Sequence, residues 1–189
     1  MKIEADKSII WNEAAKAGLW LGIFTGAIII ANTLAASFLG NSFGAKLAGS
    51  LINIALWLVK FIGCIWLMRF FMLKFAINHS EATNRTTFKF GMLTALTSAL
   101  IVSAISLANI LLISPASMQE IIDTAMQSYS AMTPIGDSER ASIERMMGWI
   151  PQISFFTTFI YCFIYGTALS KIFSAGIPQK DIFNNTDEQ

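Results

Sequence analysis

The stretch from Leu47 to Phe71 constrains this chain more than any other. It is almost wholly apolar, and it exceeds the roughly 20 residues that a helix needs to cross a bilayer. Backbone amides have no partners in hydrocarbon, so a stretch of this kind is satisfied there only as a helix. One charge, Lys60, falls near its centre. Leu51 to Phe71 holds twelve Leu, Ile, Val or Phe residues. They favour insertion by roughly 4 to 7 kcal/mol, against a cost of about 2.5 to 3.5 kcal/mol for a central lysine. The apolar term wins, so the segment reads as a span in spite of Lys60.

Three more runs qualify on the same ground: Ala17 to Leu39, Phe90 to Ile113 and Trp149 to Phe173. Gly40-Asn41, Ser114-Pro115 and Gly176 with Pro178 supply the stops. Of the 189 residues 13% are charged, about half the proportion of an average soluble domain. These features predict one all-α domain over residues 1–189, a polytopic membrane protein built as a four-transmembrane-helix bundle. The first run is too long for the apolar part of a signal peptide, and Glu4, Asp6 and Glu13 dilute a basic leader. It reads as an uncleaved helix.

Charge at the span ends gives an orientation. The N-terminal flank carries Lys2, Lys7 and Lys16. The link between spans two and three, read as a basic loop, carries Arg69, Lys74, Arg85 and Lys89. The C-terminal flank carries Lys171 and Lys180. The opposite side has Lys46, Arg140 and Arg145. The excess predicts that both termini are cytoplasmic. The formal net charge of +1 gives no basic footprint for nucleic acid.

Residues 114–148 form the one sizeable piece outside the spans. Ser117 and Glu120 match a capping box. Met118, Ile121, Ile122, Ala125, Met126, Tyr129 and Met132 then recur at helical spacing. Thr133-Pro134-Ile135-Gly136 breaks the pattern, and a second helix carries Ile143, Met146 and Met147. The expectation is an outer amphipathic helical hairpin between spans three and four. Its acids outnumber Arg140 and Arg145, whereas interfacial helices that bind lipid alone are rich in Lys and Arg. Contact with the bundle or a protein partner fits better. The methionines read as flexible packing, since no His or Cys accompanies them.

Two sets of residues stand out within the spans. Ala14, Gly18, Gly22 and Gly26 place a small residue every fourth position along span one. Such a row lets another helix backbone approach closely, either inside the bundle or between copies of the chain in a homo-oligomer. The second set is polar: Lys60 and Asn53, seven residues apart on one face of span two, with Asn32 and Asn109 deep in spans one and three. Polar groups at membrane depth face each other or water. One reading is a binding site or ion path, as in a small oligomeric channel or carrier using the Lys60 and Asn53 face. The other is a structural hydrogen-bond cluster. Cys64 and Cys162 sit in apolar runs and read as small packing residues. His79 lies apart from any second ligand, so no metal spacing appears. No catalytic motif is present, which points to a non-enzymatic protein without cofactors.

The opening Ile10-Trp11-Asn12-Glu13-Ala14-Ala15-Lys16-Ala17-Gly18-Leu19-Trp20-Leu21-Gly22 resembles the start of the bacterial membrane-protein family called domain of unknown function 4199. The four-span layout, the basic stretch after Met68-Arg69 and the outer segment extend the resemblance over nearly the whole chain. It implies a multi-pass protein of the bacterial cytoplasmic (inner) membrane and carries over no catalytic residues. Relatives encoded near a membrane glycosyltransferase point to an accessory or scaffold subunit, with the lipid bilayer and a membrane-protein partner as its surroundings. Read physically, Asn12 caps the first helix with Glu13 in its first turn.

Overall fold

The computed structural model describes residues 7–38, 43–79, 82–113 and 148–177, with Thr124, Gln127 and Arg145 as isolated helical positions. The described residues hold helices and no strand. Helix α1 is Lys7–Phe38 and α2 is Phe43–Asn78. Helix α3 is Asn84–Ala108, continued by a short π-helical segment, Asn109–Ile113. Helix α4 is Ile150–Gly176. Four helices in this set are long and apolar enough to cross a membrane. The amphipathic hairpin expected over residues 114–148, with its methionine stripe, lies outside the described residues save for Thr124, Gln127, Arg145 and Gly148.

The helices run well past the apolar stretches at one end. Helix α1 begins at Lys7, so Asn12 is an interior residue rather than a cap. Arg69 and Lys74 lie on α2, Arg85 and Lys89 on α3, and the expected basic loop shrinks to a turn between Asn78 and Asn84. Thr83 caps α3 by accepting the Thr86 amide at 3.3 Å. The reason is packing. Apolar length marks only what hydrocarbon can hold, whereas these extra turns bury one another. Ile10 and Ala14 of α1, Met72 and Phe75 of α2 and Phe90 of α3 are all buried and form the best-packed core. The Phe75 and Phe90 rings stack with centroids 4.3 Å apart.

Helix α3 lies between α1 and α4 and packs extensively on both. On one side the small-residue row of α1 meets it: Gly18 against Thr97 and Thr94, Gly22 against Ile101, Gly26 against Ile105. A Cβ at Gly22 would stand 2.8 Å from the Ile101 Cβ, closer than packed carbons tolerate. On the other side Gly166 of α4 seats on Ala95, where an added Cβ would come within 2.6 Å of the Ala95 Cβ. Buried hydroxyls bond back to their own helix: Thr25 to the Leu21 carbonyl at 2.8 Å, Ser103 to Ala99 at 2.7 Å and Ser170 to Gly166 at 2.7 Å. Small polar side chains can thus fill tight interfaces without calling for water.

Helix α2 is attached unevenly. Its second half holds Met68, Met72 and Phe75 in the core. Among the described residues of its first half, up to Val59, none is buried, and the consecutive Leu51, Ile52, Asn53 and Ile54, which point to four sides of the helix, are all exposed. A helix that exposes so many large apolar side chains belongs in an apolar surrounding.

Candidate functional site: a cavity at the level of Lys60

Where α2 joins the bundle, all four helices wall a cavity of about 100 Å³. Helix α2 contributes Trp57, Lys60, Phe61 and Cys64 at helical spacing. Thr25 enters from α1, Ser98 from α3, and Tyr161, Cys162 and Tyr165 from α4. Lys60 is half-buried, and Glu13 is the only acidic residue among the described ones. Among the described residues, therefore, no carboxylate lines this cavity. The wall is mostly apolar, with Leu21, Met68, Val102 and Leu169 on it, and the polar groups it carries are an ammonium with three donors, two phenols, two hydroxyls and two thiols. A water molecule occupies about 30 Å³ of liquid, so the space suits a few waters or one small polar group.

Aromatic contacts shape the wall. Trp57 stacks on Phe61 at 5.5 Å between centroids, Phe61 tilts on Tyr165 at 5.8 Å, and Tyr161 stacks on Tyr165 at 6.3 Å. The Tyr165 hydroxyl is buried and meets no hydrogen-bonding group of the described residues. Cys64 packs against the hydrophobic core, and its Sγ also lies 3.3 Å from Thr25 Oγ1, a polar contact between α1 and α2.

The four polar residues singled out from the sequence separate in space. Lys60 is on the cavity wall, whereas Asn53 is exposed and off it. Asn109 opens the π-helical segment, and its Nδ2 donates to Thr33 Oγ1 at 2.9 Å. Its Oδ1 is buried without a partner among the described residues. Asn32 is half-buried beside Thr33. Thr33 lies eight residues along α1 from Thr25, about 12 Å at helical rise. The polar set thus forms two local spots at different depths. The Ala14, Gly18, Gly22 and Gly26 row lies against α3 within the bundle.

Two features escaped sequence reasoning. Thr25 and Ser98 carry no signal beyond being small polar residues among apolar ones. Glu13 and His79 pair at 3.2 Å between Oε2 and Nε2, with side chains 39% and 24% exposed. They tie α1 to the residue just past the end of α2 across 66 residues of chain, a separation that no local pattern reveals.

Fold and site together define a class: a helical bundle, over the described residues, of membrane-spanning proportions with a small, mostly apolar cavity that Lys60 lines. No known protein family, curated protein or solved structure matches the chain.

Proposed function

We propose that this protein is a multi-pass component of the bacterial cytoplasmic membrane, with both termini inside, and that it serves as a non-enzymatic accessory or scaffold subunit. The reading places it in the family called domain of unknown function 4199, with an outer helical hairpin over residues 114–148. The observation that carries it is the local character of the polar groups around Lys60. A carrier or channel needs a polar route across the bundle. Here those groups gather in one mostly apolar cavity of about 100 Å³, and Asn53 is not part of it. The exposed first half of α2 further supports a subunit role, because a largely apolar helix half with none of its described residues buried in its own bundle is available to a neighbour's helix. A membrane glycosyltransferase is the partner that the resemblance brings forward.

The test is affinity capture of the full chain from mild detergent, followed by mass spectrometry. A stoichiometric membrane-protein partner, lost when Leu51, Ile54 and Leu58 are changed to Ala, is the expected result. Recovery of the chain alone at every detergent strength contradicts the proposal. One observation favours the rival carrier reading: Lys60 sits where all four helices meet. Ion or solute flux in vesicles that disappears with Lys60→Met would decide for it.

A further inference from the structure

A second hollow lies at the basic end of the bundle, between α1 and α2. It measures about 350 Å³ and has Lys16 and Trp20 on one side, Lys74 and Asn78 on the other, and Phe71 and Phe75 beneath. Lys16, Trp20, Lys74 and Asn78 are exposed at its rim, while Phe75 is buried at its floor. Glu13 also borders it, but the Glu13 carboxylate is engaged by His79 at 3.2 Å. Two ammonium groups therefore flank a hollow that has an aromatic base and one side chain amide. Trp20, 64% exposed, stands one helical turn from Lys16 toward the apolar stretch of α1.

We propose that this cleft is a binding site for the headgroup of an anionic phospholipid. The proposal rests on the reading of the chain as a membrane protein. Each part of the cleft matches a part of such a lipid. Lys16 and Lys74 supply charge-assisted donors to phosphate oxygens. Asn78 adds a neutral donor for a glycerol hydroxyl or ester. Trp20 sits at the boundary depth that indole rings favour, where it meets the upper acyl chain. Basic pockets between spans on the cytoplasmic side are the usual place where anionic headgroups are held. The cleft also lies on the side where basic residues gather: Lys7, Lys16, Arg69, Lys74, Arg85, Lys89 and Lys171, against Glu13 alone among the described acids.

The experiment reconstitutes the full chain in phosphatidylcholine vesicles containing either brominated phosphatidylglycerol or brominated phosphatidylcholine. The Trp20 contribution to fluorescence is isolated by subtracting a Trp20→Phe variant. Phosphatidylglycerol is expected to quench Trp20 at lower mole fraction than phosphatidylcholine does, by roughly five-fold for each lysine engaged. Lys16→Gln with Lys74→Gln should remove most of that preference. Lys16→Arg with Lys74→Arg should keep it, and Lys89→Gln, which removes a charge outside the cleft, should leave it unchanged. Three results overturn the proposal: no preference in the wild type, an equal loss with Lys89→Gln (diffuse surface attraction), or release by inorganic phosphate (a free-anion cleft). Extraction of the chain from vesicles by alkaline carbonate would instead overturn the membrane reading, and the lipid site with it.

Discussion

At the scale of single residues, Lys60 poses the sharpest energetic question. An ammonium taken from water into a low-dielectric interior costs several kcal/mol unless it is well paired. Among the described residues the cavity offers phenols, hydroxyls and thiols but no carboxylate. Such groups hydrogen-bond a cation without neutralising it. Methionine has nearly the length and volume of lysine and no charge. Lys60→Met is therefore expected to raise the thermal unfolding midpoint in detergent or leave it unchanged. A destabilisation of 3 kcal/mol or so, the cost of breaking a buried ion pair, would show that Lys60 is paired with a group outside the cavity wall described above. The lysine was legible in the sequence as an oddity, but its neighbours were not. Seven-residue spacing put Asn53 on the same face, yet the helix carries that position clear of the bundle while Lys60 stays at the junction.

At the scale of elements, close approach between backbones organises the bundle. Lipid tails are as apolar as leucine, so helices in a bilayer gain little from hiding apolar side chains and more from tight contact. Gly22 and Gly166 mark such contacts, to Ile101 and Ala95 respectively. Gly22→Leu would force Ile101 and the α1–α3 spacing to give way. An overpacked core typically loses about 1 to 3 kcal/mol, so a clearly lower unfolding midpoint is expected. Gly44 provides the control: a Cβ there meets nothing within 4 Å. Gly44→Ala should be neutral or slightly stabilising, by up to about 1 kcal/mol, through the better helix propensity of alanine. Equal loss of stability in both variants would show that the α1–α3 contact is not what Gly22 serves. The four-residue spacing from Ala14 to Gly26 made a helix contact foreseeable. Its partner, α3, became known only from the packed structure.

At the scale of the whole molecule, the described chain has a well-packed basic end and a looser opposite end. Ile10, Met72, Phe75 and Phe90 pack together at the first, where the Glu13–His79 pair also lies. Toward the second, none of the described residues of α2 up to Val59 is buried. Topology can be tested with single cysteines in a background lacking Cys64 and Cys162. A membrane-impermeant maleimide applied to intact cells should label Ser138→Cys and spare Ser80→Cys, which falls between spans two and three in the sequence. The reverse pattern would invert the proposed orientation.

Apolar length is a local property, because the cost of placing a peptide group in hydrocarbon is settled by that group and its immediate neighbours on the chain. The count of long apolar helices, their approximate centres and the gathering of basic residues at one end therefore followed from the sequence alone. The ends of those helices did not. Phe75 and Ile10 are helical and buried because each has the other's helix to pack on, and that contact spans distant parts of the chain. The rotation of each helix was equally hidden. When a helix is apolar on all sides, no polar face records which way it turns, so Lys60, Thr25, Ser98 and Tyr165 become neighbours only through the fit of side chains between helices.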